Sequence, residues 1–189
     1  MRDMADNWLS ALKLILILVI MLWAIEVANF LLGHRLNAFG IYPRRVDSLP
    51  GILFWPLLHG GFYHLLMNTT PLFIMGFFVA LRGKWMFLQS SLLILVIGGS
   101  GVWVFGRAAF HVGASGLVFG FFGFLIMLAF YEKSLKTLVI ASFTLFYYGG
   151  LLWGVIPRDS FISWEGHLFG LLAGMLSAKL LATKTAYPH

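Results

Sequence analysis

A serine, two histidines and an asparagine stand in stretches of this chain that are otherwise almost wholly apolar: Ser115, His64, His167 and Asn68. A serine hydroxyl is a weak nucleophile until a neighbouring base takes its proton. Histidine, with an ordinary pKa of about 6.5, is the natural base. Acyl transfer by such a pair also needs donors for the charge that develops on the attacked carbonyl oxygen, and loss of one donor costs about 3 kcal/mol. His64 and Asn68 are four apart, so a helix projects both from one face. The backbone N–H of Ser115, at a helix start, is a further donor. The chemistry open to these residues is hydrolysis through an acyl-enzyme. Each also has a plainer reading. A lone serine bonds back to its own helix, an asparagine ties helices together, and a histidine fills a packed corner.

The elements that must position them are set by composition. Of 189 residues, 60% are hydrophobic and 11% charged, and the mean hydropathy is +0.91. A soluble domain is about a quarter charged, so an ordinary soluble globule and a disordered chain are excluded. The absence of cysteine excludes a disulfide scaffold, thiolate catalysis and Cys-ligated zinc. The net charge is +6, but the 13 Lys and Arg are scattered in ones and twos. No basic stripe marks a nucleic-acid surface. The excess fits cytoplasmic-loop bias and contact with anionic lipid. Nothing calls for a cofactor or a metal.

A helix crossing a bilayer needs about 20 apolar residues. Six such runs are present, at about 12–32, 62–81, 85–105, 114–131, 135–154 and 163–181. The expectation is an all-α polytopic membrane protein, a bundle of six transmembrane helices in one domain over residues 1–189. Residues 33–61 make too long a connection for an ordinary loop. Its apolar segment Ile52-Leu53-Phe54-Trp55 reads as an element lying in the membrane interface or packed on the bundle.

Basic residues orient the spans. Arg2, Lys13, Arg82, Lys84, Lys133, Lys136, Lys179 and Lys184 fall on one side, eight in all. Arg35, Arg44, Arg45, Arg107 and Arg158 fall on the other, five in all. Both termini are therefore expected in the cytoplasm. Even-numbered spans all begin on the same side, so His64 and Asn68, Ser115, and His167 lie at one outer end of the bundle. Ser115 precedes Tyr131 by 16 residues, roughly 24 Å of helix. Against about 30 Å of hydrocarbon, it sits several Å below the outer surface, and His167 sits at a matching depth.

Small residues supply the lateral approach. Gly116 and Gly120 on span four, and Gly166, Gly170 and Gly174 on span six, form stripes that let two helix backbones pack closely. No carboxylate is placed to complete a triad. Asp3, Asp6, Asp47 and Asp159 lie outside the spans, and Glu165, two residues from His167, faces roughly away. A Ser–His dyad is expected. Glu26, near the outer end of span one, is expected to serve structure, with first-loop amides or Arg44 and Arg45 as partners. Span five, bulky towards its outer half, is a candidate gate.

The constellation resembles the rhomboid intramembrane serine proteases. Gly113-Ala114-Ser115-Gly116 matches the family's Gly-x-Ser-Gly. His59-x4-His64-x3-Asn68 matches the motif of its second span. His167-x2-Gly170-x3-Gly174 matches the base-bearing helix. The resemblance covers about Leu12 to Leu181. It implies a six-helix rhomboid fold, a water-filled cavity open to the outside, Ser115 as nucleophile and His167 as base. It implies that His64 and Asn68 stabilise the oxyanion, that His59 buttresses the first loop, and that Phe119 stacks on the catalytic histidine. Many members carry a Trp-Arg pair where this chain has about Pro50-Gly51, so Arg44, Arg45 or Trp55 would have to substitute. Substrates would be single-span or other transmembrane proteins, met in membrane lipid. The expected form is the minimal bacterial one, in the inner (plasma) membrane, with its active site opening outward.

Three other readings compete with this one. A non-catalytic rhomboid-like protein that binds clients usually lacks the serine or the histidine, and this chain keeps both. A transporter would carry its polar site at mid-membrane, whereas these residues cluster at one end. A metalloprotease lacks its His-Glu-x-x-His helix here, although His64 and His167 could share a metal.

Overall fold

The computed structural model describes residues 2–157 and 162–185. Arg158 and Asp159 lie outside the described residues, as do the side chains of Arg2, Asp3 and Lys184. Helix α1 (Arg2–Leu31) leads into the long connection, which holds two 3-10 turns (Arg35–Phe39 and Val46–Ser48), α2 (Gly51–Phe54) and a third 3-10 turn (Trp55–Leu57). Helix α3 (Phe62–Ala80) follows. The third span is α4 (Lys84–Leu93), a π-helical stretch (Ile94–Gly98) and α5 (Gly99–Phe105). Then come α6 (Ser115–Glu132), α7 (Leu135–Tyr148) with a 3-10 continuation (Gly149–Val155), and α8 (Trp164–Thr185). The described residues contain no strand; the only pairing of that kind is an isolated bridge between Ile41 and His111. This is an all-α membrane bundle.

Five stretches are long and apolar enough to cross a membrane: Asp6–Leu31, Phe62–Ala80, Lys84–Phe105, Ser115–Glu132 and Leu135–Val155. Helix α1 starts about ten residues before the apolar run, because a helix continues into water as long as its backbone bonds are made. Helix α8, the sixth span by position, is 22 residues long but is not among those five. It carries Glu165, His167 and Lys179, and it lies along α6 rather than wholly against lipid. A helix with such a protein neighbour can carry polar groups that a lipid-exposed one cannot.

Helix α6 is the central element. In its apolar window 67% of the residues are buried, against 11% in that of α7, which lies at the edge. Helix α6 packs on α8, α7 and α3, and an all-round apolar sequence is what a helix buried on every side requires. The contact with α8 is backbone to backbone. A Cβ on Gly170 would stand 2.2 Å from the Gly116 carbonyl oxygen, and one on Gly174 would stand 1.8 Å from that of Gly120. At the opposite end an Arg82–Glu132 ion pair joins the end of α3 to the end of α6.

The first connection is packed on the bundle rather than hanging from it. Ile41 and His111 exchange backbone hydrogen bonds of 3.1 and 2.8 Å. The Arg44 guanidinium donates to the Val104 and Gly106 carbonyls at 3.0 and 2.8 Å, and Trp103 Nε1–H donates to the Arg45 carbonyl. Trp55 is fully buried, with its ring against Gly116 and Gly166, where a Cβ would meet it at 2.0 and 3.0 Å. Arg44 and Trp55 thus anchor the loop without a Trp-Arg pair. The Arg45 side chain turns instead to Asp47 and the Tyr42 ring.

Candidate active site

The residues of interest meet where the start of α3, the start of α6 and the start of α8 converge. Ser115 is the first residue of α6, so its backbone N–H has no acceptor within the helix. Gly113 just before it holds φ at +122°, a conformation that favours glycine. The absent side chain also makes room. A Cβ there would stand 2.7 Å from His64 Cε1, 2.9 Å from His64 Nε2 and 3.7 Å from Ser115 Oγ. The imidazole edge of His64 therefore lies against the turn that presents Ser115. The Gly60 N–H donates to His64 Nδ1 at 3.4 Å, so the proton of the neutral ring is on Nε2, the nitrogen beside that turn.

Histidine 167 is held on two sides. Its ring stacks on Phe119, with centroids 4.2 Å apart and planes 7° from parallel. Its Nδ1 bonds the Gly154 carbonyl at 2.8 Å. A carbonyl only accepts, so Nδ1 carries the proton and Nε2 keeps its lone pair. The side chain of Ser115 is buried and makes no hydrogen bond with His167 in this arrangement.

His59 is fully buried. Its Nε2 accepts the Ala114 N–H at 3.2 Å, and its carbonyl accepts from the amides of Asn29 and Asn37 at 3.2 and 3.0 Å. It joins the first loop to the residue before Ser115. Burial, and then the nearness of His64, push its pKa down to about 3, so it is a neutral acceptor at neutral pH. Asn68 is less directly placed. Its amide donates back to the His64 carbonyl at 3.0 Å, leaving one N–H for other use.

Glu26 lies apart from these residues. It is fully buried, accepts from Asn29 Nδ2 at 3.3 Å and stands 3.8 Å from His34 Nδ1. Of the expected partners, first-loop amides or Arg44 and Arg45, the two arginines are engaged elsewhere as described. The reason is local: Asn29 lies one helical turn from Glu26, and the left-handed turn at His34 (φ 60°) folds the loop back over both. Glu165 is also buried and accepts the Arg107 N–H at 3.2 Å.

Two contributors carry no sequence signature as site residues. Gly154 acts through its carbonyl, which every residue has. His111 accepts from the Ser163 hydroxyl at 2.6 Å through Nδ1 and donates to the Arg107 carbonyl through Nε2, while Ser163 Oγ accepts the Gly166 N–H at the start of α8. Burial lowers the pKa of His111, which keeps it neutral in this role. Its position four residues before Ser115 was the one available hint.

The Rhomboid domain family matches residues 47–184. The chain is 38% identical to an uncharacterized protein of Mycobacterium tuberculosis over 185 residues, covering 93% of this chain and 77% of that one. It is 33% identical to a putative rhomboid protease of Bacillus subtilis over 176 residues, 87% of this chain and 78% of the relative. RHOMBOID-like protein 4 of Arabidopsis thaliana is 33% identical over 126 residues, 63% of this chain and 32% of the plant protein.

Proposed function

The chain belongs to the rhomboid family, and from that premise we propose that it is an intramembrane serine endopeptidase working through Ser115 and His167. The observation that carries the reading is the pair of opposite tautomers at one end of the bundle. His167, bonded through Nδ1–H to Gly154, keeps a basic Nε2. His64, accepting through Nδ1, offers Nε2–H beside the turn that holds Ser115.

In this mechanism Ser115 Oγ attacks the scissile carbonyl carbon while His167 Nε2 takes its proton. The oxyanion is held by the Ser115 backbone N–H and His64 Nε2–H, with the second N–H of Asn68 as a further donor. The carbon–nitrogen bond then breaks and the imidazolium returns the proton to the leaving amine. Water attacks the ester on Ser115 with His167 again as base, releasing the acid and restoring the hydroxyl. No carboxylate hydrogen-bonds the histidine, so the stack on Phe119 and the Gly154 carbonyl are what orient it.

Substrates are transmembrane proteins. Their helices hide the carbonyls in backbone bonds, so a stretch near the outer interface must unwind, and small or helix-breaking residues there favour cleavage. The proposed setting is a bacterial inner membrane; the basic-residue bias supports both termini in the cytoplasm and the site opening outward.

The test is turnover of a single-span substrate by the purified protein in detergent, with Ser115→Ala and His167→Ala alongside. Both variants are expected to fall to background, and a fluorophosphonate is expected to label the wild type at Ser115. Cleavage that survives either substitution removes this mechanism. A folded wild type that neither cleaves nor takes the probe favours the client-binding alternative.

A further inference from the structure

Building on the reading of His167 as the base, we infer that Gly154 is the positioning residue for that base. Its carbonyl occupies the place that a carboxylate holds in a three-membered catalytic system, and its missing side chain lets the backbone reach that place.

Three observations converge. The Nδ1–O distance is 2.8 Å. A Cβ on Gly154 would stand 2.9 Å from Phe119 Cζ, 3.0 Å from His167 Nδ1 and 3.6 Å from His167 Cε1, so the segment closes on both rings of the stack at once. The nearest carboxylate along the chain, Glu165, is turned to the Arg107 N–H and makes no hydrogen bond with His167. The requirement for glycine is specific to this position. Gly149 and Gly150 begin the same 3-10 segment, yet a Cβ on Gly149 would meet only Leu145 at 3.7 Å, and one on Gly150 would meet nothing within 4 Å.

Phe119 is buried and already lies face to face with His167. A methyl group at position 154 therefore either pushes the imidazole along the stack or backs the carbonyl away from Nδ1. Either change displaces the base. This segment continues directly from α7, whose outer residues Phe146 and Tyr147 are exposed. The base is thus registered to the end of α7 rather than to an acidic side chain.

The experiment uses the full chain in detergent. Gly154→Ala is expected to lower kcat about tenfold to a hundredfold, the range for a displacement approaching 1 Å, with KM unchanged, and to slow fluorophosphonate labelling of Ser115 by a similar factor. Gly150→Ala makes the same substitution on the same segment and is expected to match the wild type in both assays. The tautomer is read on the unmutated protein by 15N-histidine NMR, with His167→Gln to assign the signal; a proton on Nδ1 is expected. Equal activity of Gly154→Ala and Gly150→Ala overturns the assignment, and so does a wild-type His167 protonated on Nε2. Should Gly154→Ala melt below the assay temperature, the wild-type tautomer decides alone. A wild type without cleavage or labelling refutes the protease reading itself, a result distinct from either of these.

Discussion

Substituting Gly174 by alanine tests whether the α6–α8 contact sets the distance between the two halves of the site. The added Cβ would fall 1.8 Å from the Gly120 carbonyl oxygen and 2.6 and 2.7 Å from the Gly120 carbonyl carbon and Cα. Carbon approaches a carbonyl oxygen to about 3.3 Å, so the helices must part locally by about 1.5 Å. No flexible side chain can absorb this, because all three atoms belong to the α6 backbone. Gly174 lies seven residues from His167, about 10 Å along the helix, so much of the separation reaches the imidazole. A misplacement of about 1 Å costs about a hundredfold in rate, and overpacking of this kind costs about 1–3 kcal/mol. The assay pairs thermal unfolding in detergent with single-span substrate turnover and Ser115 labelling. A lowered melting temperature together with a large loss of kcat is expected. A variant that melts and turns over like the wild type would refute the reasoning.

Three further outcomes follow from the same contacts. Trp55→Ala empties the space over Gly116 and Gly166 and is expected to cost about 3–5 kcal/mol, read as a lowered melting temperature with loss of Ser115 labelling. Phe119→Leu removes the stack on His167, worth about 0.5–1.5 kcal/mol, and is expected to lower kcat about two- to twelvefold, with a fall in melting temperature smaller than that of Trp55→Ala. His59 is neutral when folded, with its pKa lowered to about 3, and takes up a proton near pH 6.5 when unfolded. Stability is therefore complete above about pH 6.5 and declines as the pH falls towards 3, by at most about 1.4 kcal/mol per unit from this group. His111, lowered in the same direction by burial, adds to the slope. His59→Gln keeps an acceptor for Ala114 but no titration, so its melting temperature should fall less steeply between pH 6.5 and 4; an unchanged slope would count against the assignment.

Much of the fold was legible along the chain. Apart from the start of α1, about ten residues early, the apolar runs place the helices within a few residues, and their parity puts His64, Asn68, Ser115 and His167 at one end, because a bilayer admits only complete crossings. The glycines at 116, 120, 170 and 174 mark where two backbones touch, since no other residue type permits that approach. Other features were not legible. Glu26 finds Asn29 and His34 rather than the arginines, because a left-handed turn at His34, invisible in the composition, folds the loop back onto α1. Anchoring of the first loop falls to Arg44 and Trp55, because guanidinium and indole donors can serve from any position from which they reach free carbonyls or a glycine-lined gap.

The sequence by itself determined which polar side chains the bundle carries and at which of its ends they lie, because residue type and helical spacing are local properties of the chain. Only the tertiary structure decided which nitrogen of each imidazole carries its proton. That choice depends on backbone groups, the Gly60 N–H for His64 and the Gly154 carbonyl for His167. Every residue has such groups, and their effect depends only on where the folded chain brings them.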